Sequence, residues 1–184
     1  MSVKQLNDSQ ERKMRYVPVK RINGSPVRLR NTTIPLVRTV VREFCSRYTS
    51  GGTVLYIGDA GDKFKVYERD ALAAMGVVID EHGKMPDVIV HFALRNWLIL
   101  IEAVTSHGPV NIKRHNELKT LFKGATPGLV FITAFEARKA MVKYLGEIAW
   151  ETEVWVAEAP THLIHFNGER FLGPYPGGNV DTIG

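Results

Sequence analysis

Two runs of apolar residues, separated by a short polar link, place the strongest constraint on how this chain can fold. Residues 88–92 read VIVHF and residues 97–104 read WLILIEAV, with Arg95-Asn96 between them. Both runs are rich in Val, Ile and Leu and have the length of strands, so we predict an antiparallel hairpin. The rest of the domain should be arranged around this hairpin.

Two acidic residues stand at the ends of the hairpin strands that lie side by side. Asp87 precedes the first run, and Glu102 is near the end of the second. Because side chains alternate faces along a strand, Glu102 shares a face with Leu98, Leu100 and Val104. A divalent cation shared with Asp87 would compensate a charge on this apolar face. In the alternative interpretation, Asp87 caps a turn and Glu102 forms a buried salt bridge.

The remaining sequence predicts helices and strands on both sides of the hairpin. We predict helices over residues 35–48, 68–75, 111–122 and 136–148, and strands over residues 53–57, 129–135, 153–157 and 163–166. This order indicates an α/β domain with a mixed central sheet flanked by helices. We assign residues 1–31 to a basic, mobile arm, residues 32–175 to the folded domain and residues 176–184 to a flexible tail.

Positive charge is concentrated in the first part of the chain. The net charge of the 184 residues is +5, but residues 1–49 hold eleven Lys and Arg against three Asp and Glu. Residues 50–184 hold thirteen against sixteen. A basic arm ahead of a mildly acidic body favours an anionic partner, with nucleic acid as the first candidate. A solvated basic tail is the alternative.

Several classes of protein are excluded by composition. No apolar run approaches the roughly 20 residues of a membrane span, and the polar N-terminus has no secretory signal, so we expect no membrane partner. The single Cys45 excludes an internal disulfide and fits a reducing cytoplasm. Neither His107 nor His115 forms a metal cluster with Cys45, so we do not expect a zinc site.

The spacing of the two acids fits the hydrolysis of a phosphodiester. That reaction needs a cation to offset charge on the phosphate, an activated water and a stabilised leaving oxygen. In the PD-(D/E)XK nucleases, an Asp opens one strand, and the next strand carries an acid two residues before a Lys. Asp87 and Glu102 match this pattern, whereas Val104 stands where the Lys is expected.

Three lysines could supply the positive charge that is missing at position 104. Lys63 follows the strand over residues 53–57, Lys84 precedes Asp87, and Lys113 opens the helix over residues 111–122. We rank Lys63 slightly ahead of the other two, because the strand that it follows should border the hairpin. An exposed surface lysine is the alternative interpretation of each.

Long segments of the chain resemble one known family. They are VLYIGDAGDK, KMPDVIVH, NWLILIEAVTSHGPVNIKRHNEL, LVFITAF and IAWETEVWVAEAPTHLIHFNGERFLGP. Over about residues 35–175 the chain resembles the C-terminal nuclease domain of the BsuBI/PstI family of type II restriction endonucleases. The resemblance implies a restriction-endonuclease-like PD-(D/E)XK fold, Mg²⁺ as cofactor and double-strand cleavage of DNA at a short palindrome. It further implies a restriction-modification system with a cognate DNA methyltransferase, and a homodimer, since two-fold DNA symmetry is usually met by two-fold protein symmetry.

The resemblance also implies roles for particular residues. Asp87 and Glu102 would be catalytic metal ligands, Glu43 would be an auxiliary acid, and Lys63 lies in the family's GD…K segment. The candidates for DNA contacts, all from the SHGP…KRH segment, are Ser106, His107, Lys113, Arg114 and His115.

Two departures from the family pattern leave other functions open. Val104 breaks the ExK pattern, and we expect the chain to lack the N-terminal domain that is typical of full-length members. One alternative is therefore a catalytically weak or inactive DNA-binding remnant, and another is a nuclease-like module for protein interaction. Retention of both Asp87 and Glu102 favours the nuclease.

Overall fold

The centre of the computed structural model is one sheet of six strands, which neighbour one another in chain order. The structure describes residues 16–58, 66–79, 83–105, 107–166 and 168. The strands are β1 Thr53–Ile57, β2 Val88–Phe92, β3 Trp97–Ala103, β4 Gly128–Phe135, β5 Thr152–Val156 and β6 Leu163–Phe166. The pairs β3–β4 and β4–β5 are parallel and the other three pairs are antiparallel, so the sheet is mixed as predicted.

Helices and turns connect these strands. The helix α1 is continuous through Pro35–Thr39, a π-helical turn at Val40–Phe44, and Cys45–Tyr48. The later helices are α2 Arg69–Ala74, α3 Ile112–Leu121 and α4 Arg138–Val142. Within the described ranges, no helix combines the length and the apolar character needed to cross a membrane.

Different helices cover the two faces of the sheet. On one face, Val37 and Phe44 of α1 are buried in a core that includes Ile101 of β3. On the other face, Leu118 of α3 packs in a core with Leu100 of β3. Burying an aliphatic or aromatic side chain contributes about 1.5–3 kcal/mol, so these two cores hold the sheet between its helices.

The hairpin predicted from the two apolar runs is present with the expected register. Val88 pairs with Ile101, which places Asp87 one step further along, beside Glu102. The link is a short 3-10 turn over Ala93–Arg95, followed by Asn96 at φ 53°. Asn adopts such a left-handed conformation more readily than most residues, because its short polar side chain can hydrogen-bond locally. The polar link therefore fixes which ends of β2 and β3 meet.

Part of the predicted mobile arm belongs to the folded domain, so the boundary predicted at residue 31 is wrong. Val19 is 4% exposed, and the Val17 N–H donates to the Ser46 carbonyl at 3.2 Å. The Val54 N–H of β1 donates to the Lys20 carbonyl at 2.9 Å. The missed signal is a period-two alternation of apolar and basic residues, seen at Val27, Arg28, Leu29 and Arg30. Residues 1–15 and the predicted tail over residues 176–184 lie outside the described residues.

The helix predicted over residues 136–148 is also shorter than expected. Only Arg138–Val142 is helical, and turns carry the chain on to Ile148. Met141 and Ile148 are buried, whereas Leu145 is 50% exposed. Gly146 disfavours a continued helix, and a bridge between Ile148 and Asn111 holds this segment instead.

Candidate active site

Asp87 lies where the ends of three strands meet. Its carbonyl accepts a hydrogen bond from the Gly58 N–H, just beyond β1, at 2.8 Å. Its carboxylate oxygen Oδ2 accepts a hydrogen bond from the Ala103 N–H of β3 at 2.7 Å. Asp87 therefore joins β1 to β3 through the start of β2, and a backbone donor fixes the direction of its side chain.

Glu102 is buried beside Asp87 and forms an ion pair with the first turn of α3. Its side chain shares the sheet face of Leu98 and Leu100, as predicted, and the residue is 9% exposed. Arg114 Nε donates to Glu102 Oε1 at 2.7 Å, and Arg114 Nη2 donates to the Met85 carbonyl at 3.1 Å. One arginine therefore holds both the Glu102 carboxylate and the segment that leads into Asp87.

The first turn of α3 is itself fixed by the sequence that precedes it. The Asn111 side chain accepts a hydrogen bond from the Arg114 N–H at 2.8 Å and thereby caps the N-terminus of α3. The Val110 N–H donates to Thr133 Oγ1 of β4 at 3.1 Å. These bonds anchor the start of α3 to the sheet, so the Arg114 guanidinium has a defined position over Glu102.

Each carboxylate has one oxygen that is held by a contact with the protein. Contacts within the described part of the chain occupy Oδ2 of Asp87 and Oε1 of Glu102. No hydrogen bond or ion pair between described residues involves Oδ1 of Asp87 or Oε2 of Glu102. The tied oxygens orient the two groups, and the other oxygens are the natural ligands for a shared cation.

Burial raises the pKa of both carboxyl groups. For Asp87, burial outweighs the hydrogen bond from Ala103 and the nearby positive charges, which act in the opposite direction. The pKa of Glu102 is raised first by burial and further by the charge of Asp87, against the effects of Arg114 and Lys84. Burial therefore disfavours the ionised form of both groups, and a cation bound between them would favour it.

The structure describes two of the three candidate lysines, Lys84 and Lys113. The charge of Lys84 acts on both Asp87 and Glu102. The side chain of Lys113 is 84% exposed and lies 3.9 Å from Glu117. Lys63 falls outside the described residues. Between the two lysines that are described, Lys84 has the stronger connection to the carboxylate pair.

Comparison with known proteins agrees with this arrangement. Residues 17–169 match the family described as the BsuBI/PstI restriction endonuclease domain. The chain belongs to this family. Two similar curated proteins are the type II restriction enzyme BsuBI of Bacillus subtilis, 51% identical over 168 residues, and the type II restriction enzyme AplI of Arthrospira platensis, 33% identical over 144 residues. These alignments cover 91% and 74% of this chain, and 53% and 44% of the respective relatives.

A solved structure confirms the fold. The structure of SdaI restriction endonuclease matches with a TM-score of 0.74 and 41% identity, covering 95% of this chain and 56% of that chain. The BsuBI/PstI domain described here therefore has a restriction-endonuclease-like fold, as the sequence predicted. The chain spans about half the length of the relatives that it matches.

The predicted DNA-contact residues of this BsuBI/PstI domain occupy different environments. Lys113 and His107 are exposed, and the charge of His107 acts on Asp87. His115 is 6% exposed, with its ring edge against Phe131 at 4.5 Å. Burial lowers the pKa of His115, so its imidazole is neutral at pH 7. The buried position of His115 does not favour contact with DNA.

The remaining predicted site residues are Glu43 and Ser106. Glu43 lies on α1, which covers the sheet face opposite Glu102, and its carboxylate is 3.6 Å from Arg47. The role of Glu43 as an auxiliary acid stays a prediction. Ser106 falls outside the described residues.

Arg114 holds Glu102, a role that differs from the DNA contact that the resemblance implies. The residue is 9% exposed, and its Nε donates to the Glu102 carboxylate. The available signal was its place in the first turn of the helix that follows the acid-bearing strand. A helix connecting two parallel strands begins near the end of the first strand, and therefore near Glu102.

The donors at this site fit a hard cation. Asp87 and Glu102 offer oxygen only, and Mg²⁺ is commonly held by one or two carboxylates while it keeps several waters. Within the described ranges, no group of three or more His, Cys, Asp or Glu is arranged to hold a metal. The Cys45 thiol is buried elsewhere, and burial raises its pKa to about 12. The residues present therefore fit Mg²⁺ better than a metal that requires nitrogen or sulfur ligands.

Proposed function

We propose that this chain is the nuclease domain of a type II restriction endonuclease, and that it hydrolyses DNA phosphodiesters with Mg²⁺ at a PD-(D/E)XK site. The observation that carries the proposal is the pairing of Asp87 and Glu102 at one end of the hairpin, each with one oxygen fixed by the protein. Membership of the BsuBI/PstI family supports the same function. Asp87 and Glu102 would hold Mg²⁺, which supplies charge neutralisation at the phosphate and an acidified water.

The protein side chains around the pair would each have a separate task. Arg114 keeps the Glu102 carboxylate in one orientation. Lys84 is the described lysine whose charge acts on both carboxyl groups, so we propose that it supplies the positive charge that Val104 does not. Such a charge would stabilise the phosphate as negative charge develops on it.

Magnesium should stabilise the folded chain, because it binds the two carboxylates in the native state only. We expect added Mg²⁺ to raise the melting temperature of the original chain but not that of Glu102→Gln. The effect should fade as the pH falls, because protons then compete for carboxyl groups whose pKa is raised. Thermal unfolding with and without Mg²⁺, repeated from pH 8 down to about pH 4, near the ordinary carboxyl pKa, measures this. An equal Mg²⁺ effect in both proteins would argue against the proposed ligands.

The ranking of the lysines can be tested by single-turnover cleavage of DNA. We expect Lys84→Ala to slow cleavage about 100-fold or more, which is typical for the loss of one electrostatic group from an active site. With the protein in excess, so that weaker DNA binding does not limit the rate, Lys113→Ala should change it about three-fold or less, because Lys113 lies beside Glu117 at 3.9 Å and only its charge on the surface is lost. Lys63→Ala tests the candidate that the sequence ranked first. Full activity in Lys84→Ala would remove Lys84 from the mechanism.

We propose that the partner is double-stranded DNA and that the setting is a cytoplasmic restriction-modification system with a cognate DNA methyltransferase. On a palindromic site, the domain should act as a homodimer, because two equivalent strands require two equivalent sites. Sedimentation analysis with and without a cleavable duplex tests the assembly. A single copy on each cleaved duplex would contradict the dimer but not the nuclease.

One alternative function also has a specific observation in its favour. Val104 occupies the position of the usual lysine, and Arg114 already compensates Glu102 within the protein. A DNA-binding remnant without cleavage activity is consistent with both facts. Duplex binding that persists in Mg²⁺ without any strand cleavage would support this alternative.

A further inference from the structure

A groove of about 1090 Å³ runs along the outer face of α3. Its first wall is α3, and its second wall is formed by Gly76 and Val78, after α2, together with Gly83 and Lys84. No comparison above assigns a role to this groove.

Two glycines of the groove lining, Gly76 and Gly124, approach each other closely. The backbone turns around Gly76 and Gly124 are in direct contact: a Cβ on Gly76 would lie 2.1 Å from the Gly124 carbonyl oxygen. The reverse substitution would place a Cβ on Gly124 at 2.3 Å from the Gly76 carbonyl oxygen. Next to this contact, the Thr126 N–H donates to the Met75 carbonyl at 2.8 Å. The groove is therefore a built feature of the fold rather than a gap between loose segments.

The described lining of the groove carries an excess of positive charge. Four basic side chains line it, and the acidic residue among them, Glu117, already lies near both Lys113 and Arg114. The basic residues are Lys84, Lys113, Arg114 and Lys123. Asn116 and Thr120 lie on the same face of α3 and add groups that can hydrogen-bond to an anion.

The groove shares lining residues with the surroundings of the candidate active site. Arg114 lines the groove and also donates to Glu102, and Lys84, also in the lining, lies three positions before Asp87. Lys113 and Lys123 stand at opposite ends of the ten-residue helix α3, a separation of about 15 Å at the usual helical rise. Phosphates along one DNA strand recur at about 3.4 Å of helix axis, so this length corresponds to about four nucleotides.

We propose that this groove binds the phosphodiester backbone of the strand that is being cut, over the nucleotides next to the scissile phosphate. The inference rests on the proposed nuclease function and adds the path of the substrate strand. Lysines contact phosphates without reading bases, so the groove would place the scissile phosphate at Asp87 and Glu102 regardless of the flanking sequence.

The experiment is a salt titration of duplex DNA binding, performed with Ca²⁺ in place of Mg²⁺. The test variant of the full chain is Lys113→Ala with Lys123→Ala. The matched control is Lys139→Ala with Lys143→Ala, which removes two equally exposed lysines that do not line the groove. Each lost phosphate contact should reduce the slope of log K against log salt by about 0.9. We therefore expect the slope of the test variant to fall by about 2, and its binding at 0.1 M salt to weaken by tens of fold.

The outcomes separate the groove from the nuclease function. A reduced slope in the test variant, with the slope unchanged in the control, supports the groove. Equal slopes in the test variant, the control and the original chain would overturn the groove but leave the nuclease function intact. If the original chain neither binds nor cleaves duplex DNA, the proposed function and the groove both fail. Since all four lysines are exposed on the surface, both double variants should keep the unfolding midpoint of the original chain, which circular dichroism verifies.

Discussion

Asp87→Asn is expected to reduce the rate of DNA cleavage by at least about 1000-fold, because it removes one of two proposed ligands of a cation that contributes several kcal/mol to such reactions. The same substitution should raise the stability of the metal-free chain. Burial raises the pKa of Asp87, so the folded state holds a proton on this group more tightly than the unfolded state does. The ionised carboxylate therefore costs stability at neutral pH, and Asn, which can keep the hydrogen bond from Ala103, removes that cost.

The pH dependence gives this prediction a clear sign. The gain in stability from Asp87→Asn should be full above the raised pKa of Asp87 and should disappear as the pH falls toward the ordinary value of about 3.9. Chemical denaturation across this range, without Mg²⁺, measures the gain. Asp70→Asn, at an exposed position in α2, is the matched control and should change neither cleavage nor stability appreciably. Full cleavage activity in Asp87→Asn would count decisively against the proposed site.

Arg114→Met is expected to cause the largest loss of stability, about 3–5 kcal/mol, because it leaves Glu102 buried without its partner. Adding Glu102→Gln to the same chain should restore most of this loss, since the uncompensated charge is then gone. Without Arg114, the pKa of Glu102 should rise further, so the destabilisation should shrink as the pH falls and Glu102 takes up a proton.

A double-mutant cycle measured by denaturant unfolding at pH 8 tests this coupling. Arg138→Met is the control, because it removes an exposed arginine from α4. Added Mg²⁺ should recover part of the stability lost in Arg114→Met, because the cation supplies a positive charge beside Glu102. Strictly additive effects of Arg114→Met and Glu102→Gln would mean that the ion pair is not what holds this end of α3.

The strands could be predicted because their local patterns report burial directly. The runs that form β2 and β3 are apolar, short and separated by a polar link, and no other element fits that pattern. The relation between Asp87 and Glu102 then followed from antiparallel pairing alone. The position of α1 followed from the helical spacing of Val37, Val41 and Phe44.

Features that depend on tertiary contacts could not be predicted in the same way. The pairing of Arg114 with Glu102 joins residues twelve positions apart through the placement of α3 on the sheet, which no local pattern specifies. A short extended piece at Tyr16–Val19 can be read from the sequence, but not its docking on the domain, because the many basic residues around it favour a solvated arm. Lys84 and Lys113 looked equivalent in the sequence, and only the fold shows which of their charges reaches both carboxyl groups.

The most direct measurement is a digest of supercoiled plasmid DNA by the full chain in Mg²⁺, with sequencing of the product ends. We expect double-strand cleavage that gives the same ends at a defined set of sites, requires Mg²⁺ and is absent in Glu102→Gln. Glu117→Gln, which removes an acidic side chain from the outer face of α3 but not from the carboxylate pair, should still cleave. A chain that unfolds cooperatively, and is therefore folded, but leaves the plasmid intact in Mg²⁺ would contradict the proposal that Asp87 and Glu102 form the active site of a nuclease.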